Sequence, residues 1–177
     1  MRHSLLLCSL AAVVISLGAM AHHSPMQRAL VATRSPGNAI QGVTLVLEPA
    51  EAPQTRLHFE ICGPDVTQIP GKGLPLTFAF DTAVHHLTVY PRQTGLAMVP
   101  QVAGAVATVA LTRDPFLPPE SWRVAVRIDL AQRPGTGQLT VSPFPAYDFT
   151  SALAAAAVAE TVILGGRCDD RYATRVQ

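Results

Sequence analysis

From Trp122 to Leu130 apolar and polar side chains alternate without a break. Trp122, Val124, Val126, Ile128 and Leu130 fall on one side of an extended chain, and Arg123, Ala125, Arg127 and Asp129 on the other. A period of two suits a strand with one face in a core and one in water, and it does not suit a helix. Thr55–Cys62 repeats the pattern, with Leu57, Phe59 and Ile61 against Arg56, His58 and Glu60. Here His58 is expected on the exposed side.

Shorter runs of the same kind recur, cut by Pro and Gly. Val43, Leu45 and Leu47 come first, then Leu76, Phe78 and Phe80 after the turn-rich Pro70-Gly71-Lys72-Gly73. His85 to Tyr90 is stopped by Pro91, and Leu96 to Val99 by Pro100. Val102 to Thr112 is small and apolar, with Val109 and Leu111 on one side and Thr108 and Thr112 on the other. Pro115, Pro118 and Pro119 exclude regular structure between Arg113 and Ser121. Leu139 to Val141 follows Pro134-Gly135-Thr136-Gly137. Phe149 to Glu160 differs, because four consecutive alanines after Leu153 favour helix. Asp148 or Ser151 would cap it, and the β-branched residues of Thr161 to Leu164 would form a strand after it.

Many short strands, Pro and Gly turns, and no alternation of strands with long helices predict a mostly all-β chain. The expected form is an antiparallel β-sandwich, immunoglobulin-like in general architecture, with one short Ala-rich helix near the C-terminus; a closed barrel is the rival. Trp122 lies between the two downstream cysteines, but their separation is far longer than immunoglobulin domains use, so the likeness stops at architecture.

Arg2 and His3 precede an uncharged apolar run from Leu5 to Met20 that closes on Ala19-Met20-Ala21. This is the plan of a secretory signal peptide, with cleavage expected after Ala21. The expected organisation is a signal peptide over 1–21, an extended arm over 22–40, the sandwich over 41–168 and a polar tail over 169–177. The apolar run is short for a membrane-spanning helix, so no transmembrane segment is expected after cleavage. The expected location is periplasmic or secreted.

Of three cysteines, Cys8 leaves with the signal. Two cysteines surviving in an oxidising compartment predict a Cys62–Cys168 disulfide, and their wide separation argues against a redox-active Cys-x-x-Cys pair. Charge is balanced: once Arg2 is removed, 12 basic residues face 12 acidic ones. That gives no reason to invoke nucleic acid.

Candidate chemistry is sparse. The mature chain would begin His22-His23-Ser24-Pro25-Met26, and a terminal amine with a neighbouring imidazole can chelate copper. His85 or His86 could supply one further ligand, since alternation would point their rings to opposite faces, and Met26 or Met98 a soft one. The plainer reading is a solvated arm, ordinary strand histidines and no cofactor. Gly71-Lys72 lacks the flanking residues of a phosphate loop, and there is no Gly-x-Ser-x-Gly elbow. Asp169-Asp170 beside Arg167 and Arg171 reads as a charged tail. Phe144, Tyr147 and Phe149 among Pro143 and Pro145 could form an exposed apolar loop for a partner, or cap the core. The functional expectation is a non-enzymatic binding or envelope-accessory module with an unidentified protein or envelope partner, and copper binding is the alternative.

Overall fold

The computed structural model describes residues 39–48, 54–142, 146–155, 161–164 and 168. Residues 1–38, with the apolar N-terminal run, His22, His23 and Met26, lie outside them, as do Phe144 and residues 169–177.

Among the described residues ten strands and one α-helix are formed: β1 Gly42–Glu48, β2 Thr55–Gly63, β3 Leu74–Phe80, β4 Val84–Pro91, β5 Leu96–Ala103, β6 Val106–Arg113, β7 Trp122–Leu130, β8 Gly137–Val141, β9 Tyr147–Asp148, α1 Thr150–Ala155 and β10 Thr161–Ile163. They make two five-stranded sheets, in the orders β10-β1-β2-β7-β4 and β5-β6-β3-β8-β9. All pairings are antiparallel. The chain passes between sheets after β2, β3, β4, β6, β7 and β9, which is how a sandwich is closed from short strands.

Alternation sets which side of each strand meets the other sheet. Leu57, Phe59 and Ile61 of β2, with Val124, Val126, Ile128 and Leu130 of β7, face Leu74, Leu76 and Phe78 of β3 and are buried. Rings tie the layers together: Phe59 lies 4.6 Å from Phe78 and 5.5 Å from Phe149, centroid to centroid. Each such buried side chain contributes about 1.5–3 kcal/mol of hydrophobic stabilisation, and edge-on or tilted ring pairs add to it.

Several details differ from the sequence reading. Within Val102 to Thr112 the chain reverses at Gly104-Ala105, between β5 and β6; Gly104 adopts φ +60°, the left-handed region that glycine enters at little cost. Pro100 does not stop β5. The Asp114 N–H donates to Gly95 O at 2.8 Å, which sets the alternation of the ladder and turns the Pro100 nitrogen away from β6. A missing N–H costs nothing on that outer side of an edge strand. Pro75 is likewise accommodated near the start of β3, where pairing with β8 begins only at Leu76.

The β7 strand is interior, flanked by β2 and β4, but β2 is the geometric centre of its sheet. The helix, described over Thr150–Ala155, begins where Asp148 Oδ1 accepts from both the Thr150 N–H and hydroxyl. These bonds hold the Asp148 carboxyl below its ordinary value of 3.8, the hydroxyl acting most and the N–H next.

Cys62 and Cys168 are joined, with Cα atoms 5.8 Å apart. The bond does not link the two sheets through the core as an immunoglobulin disulfide does. Cys62 sits in the outward register of β2, opposite Gly42 and Arg123, and ties the chain beyond β10 to the outside of its own sheet. Both sulfurs lie 3.7 Å from Gly42 O.

Candidate functional site

The residues that alternate away from the core on β1, β2, β7 and β4 are brought into rows by strand register. One row runs Glu48, Arg56, Asp129, His86; the next Val46, His58, Arg127, Thr88; the next Thr44, Glu60, Ala125, Tyr90. The Arg92 N–H donates to Arg123 O at 3.1 Å, which carries Arg92 to the end of the face beside Arg123.

This face is a charged lattice. Arg56 is matched by one carboxylate, with Nε 2.6 Å and Nη2 3.4 Å from the two Asp129 oxygens. Glu60 Oε1 accepts from Arg92 Nη2 at 2.9 Å and lies 3.6 Å from His58 Nε2, while its Oε2 is 3.7 Å from Arg123 Nε. Glu48 lies 3.0 Å from His58 Nδ1 and 3.5 Å from Arg127 Nε. The last contact is within ion-pair range but is not a hydrogen bond, and Arg127 Nε is buried without one. Four arginines thus share three carboxylates, and His58 sits between two of those. Being partly exposed, each pair contributes about 0–1 kcal/mol. Their main effect is to fix where the guanidinium groups stand.

Ala125 interrupts the lattice. It is opposite Glu60 on one side and Tyr90 on the other, with Arg123 and Arg127 two residues away along its own strand. A methyl group among long side chains leaves a shallow, open depression of about 410 Å³, walled by His58, Tyr90, Pro91, Arg92 and Arg127 with Ala125 as its floor. Tyr90 is 46 % exposed and gives the rim a flat apolar wall. Three basic side chains, His58, Arg92 and Arg127, converge on it beside one aromatic ring.

The sequence-derived candidates are dispersed. His58 is not freely exposed: its side chain keeps 20 % exposure and is held between Glu48 and Glu60. His85 and His86 do not face opposite sides. Val84 pairs with Leu130 and His86 with Asp129, so His85 is the extra residue of a β-bulge, and both histidines are exposed. His22 and His23 lie outside the described residues. Among the described residues no three His, Cys, Asp or Glu side chains converge as a metal site.

Tyr147 and Phe149 are core residues rather than an exposed loop: Phe149 is fully buried and Tyr147 nearly so. Phe149 fits because Gly137 opposite has no Cβ, which would collide with the ring. Phe144 is outside the described residues. Among the described residues no helix is long and apolar enough to cross a membrane.

The depression was missed because its parts come from three separate strands and a following turn. Its trace in the sequence is Arg-x-Ala-x-Arg, one small residue between two arginines on the polar side of the clearest strand. Register alone brings His58, Glu60 and Tyr90 to it. No protein-family model, curated protein or solved structure matches this chain.

Proposed function

We propose that this protein is an exported, non-enzymatic binding or envelope-accessory module whose ligand seats over Ala125, on the outer face of the β10-β1-β2-β7-β4 sheet. One observation carries the reading: on the paired strands β2 and β7 the outward residues Arg56, His58, Glu60, Arg123, Arg127 and Asp129 are all ionisable, and Ala125 alone among them is a methyl group, over which a depression opens between arginines and a tyrosine. The signal-like N-terminus and the Cys62–Cys168 bond support an oxidising location. Function on a rigid scaffold is then a matter of what the surface recognises.

The test fills the depression without touching the core. Ala125→Trp points outward between Glu60 and Tyr90, and Tyr90→Ala removes an exposed wall; circular-dichroism melting checks that both variants remain folded. A panel of small charged and neutral molecules is screened by thermal shift, since a ligand that binds only the folded protein raises its melting temperature. Ligands of the native chain should lose their shift in Ala125→Trp and show a reduced one in Tyr90→Ala. Ligands whose shifts are the same in all three proteins would overturn the placement.

A further inference from the structure

We propose that the ligand of this depression is an oxyanion, gripped by Arg92 and Arg127, and that Glu60 is an internal stand-in which the ligand displaces from Arg92; the inference rests on the reading of the depression as a ligand site. The first ground is the arrangement around Glu60. Its carboxylate stands beside the floor residue Ala125 and is already contacted by Arg92 at 2.9 Å, His58 at 3.6 Å and Arg123 at 3.7 Å. A carboxylate held there shows what the surrounding cations are placed to hold.

The second ground is how unequally the arginines are engaged. Arg56 is closed by two contacts to Asp129. Arg92 meets Glu60 through one terminal nitrogen and remains 56 % exposed. Arg127 has a buried Nε without a hydrogen bond and an offset contact to Glu48, and its side chain is 38 % exposed. A guanidinium carries five donors in a planar fork, so both groups retain capacity for a second oxyanion. They line the same depression from either side of Ala125.

The third ground is charge. Among the described residues of this face Arg56, Arg92, Arg123 and Arg127 face Glu48, Glu60 and Asp129, an excess of one cation with His58 left aside. An arriving anion completes the lattice, and a neutral ligand leaves it unbalanced. When the ligand's oxygens take over Arg92, Glu60 keeps His58 and Arg123, so the exchange leaves no carboxylate stranded. Tyr90 and Pro91 offer an apolar wall for a ring or carbon chain carrying the anionic group.

Two sources share this chemistry, a carboxylate on a flat body and a free phosphate group, and the experiment separates them. The intact, disulfide-bonded chain is titrated by NMR in low-salt buffer with benzoate, with inorganic phosphate and with benzamide, the neutral counterpart of benzoate. At least one anion should bind, with added sodium chloride weakening it, and benzamide should bind at least about tenfold more weakly than benzoate if the ring is recognised. Tighter benzoate points to a carboxylate on a flat body, and tighter phosphate to a free phosphate group. Arg92→Gln and Arg127→Gln should each weaken the anion about tenfold or more. Glu60→Gln should tighten it severalfold, because the internal competitor has lost its charge.

Melting curves confirm that these outward-facing variants stay folded. Weakening by Glu60→Gln would make Glu60 a ligand contact and overturn the stand-in role. Equal binding of benzoate and benzamide, both abolished by Ala125→Trp, would keep the depression as the site and overturn the oxyanion. Failure of both anions to bind would overturn the oxyanion as well, whereas the depression itself falls only if ligands from the wider screen ignore Ala125→Trp.

Discussion

The Cys62–Cys168 bond closes a loop of 106 residues that contains most of the sandwich, from the end of β2 to beyond β10. Cutting it leaves nearly every folded contact in place and frees the unfolded chain to expand. In the chain-entropy account a loop of this length is worth about 4.8 kcal/mol at 25 °C. Set against a total of about 5–15 kcal/mol for an ordinary domain, that is a third of the stability or more. With a urea dependence of roughly 2 kcal/mol per molar, the unfolding midpoint should fall by about 2 M.

The assay is urea unfolding followed by circular dichroism, on oxidised protein, on protein reduced and alkylated after unfolding, and on the Cys62→Ala/Cys168→Ala double variant. Intact mass should show two alkylated thiols only after reduction. Agreement between the reduced and double-variant midpoints excludes disulfide exchange as the cause. A fall of less than about 0.5 M in both would refute the loop-closure reasoning and mean that the unfolded chain stays compact without its crosslink.

Two further outcomes test the fold. Val126 is fully buried between Phe59 and Val89, so Val126→Asp, placing an unpaired carboxylate there at a cost of several kcal/mol, should abolish the cooperative melting transition; a native-like melt would mean that β7 faces the other way. Because the Asp148 carboxyl is held below 3.8 by Thr150, its contribution is present above that value and lost as pH falls through the lower folded value. Urea midpoints of Asp148→Asn should therefore decline less between pH 5 and pH 2.5 than those of the native chain, and parallel declines would remove Asp148 from the account.

Elements with unbroken alternation were legible in the sequence because a single residue's slip would turn every apolar side chain of β2 or β7 into water. Where the signal depends on neighbours in space it was not. Pro100 reads as a stop unless β5 is known to be an edge strand, and the β5–β6 reversal hides in small apolar residues where only Gly104 marks it. The His85 bulge comes from pairing with β7, which no property of His85-His86 announces. Tyr147 and Phe149 have the composition of a binding loop, and the space beside Gly137 takes Phe149 into the core. The depression is the furthest from legible. Ala125 is an unremarkable strand residue until β2 and β4 bring Glu60 and Tyr90 to either side of it.

The direction of the Pro100 nitrogen bears on how copies of this protein meet. Strand β5 ends its sheet among the described residues, and its far side is a row of peptide groups on which a strand from another molecule could build. Midway along that row a donor is absent, and a ring stands in its place. An incoming strand would lose a rung at the centre of its register, where a short ladder can least spare one. Exposed Val99 and Val102 would otherwise make this margin a sticky template for cross-molecular β-sheet growth, so the proline acts as a guard against aggregation.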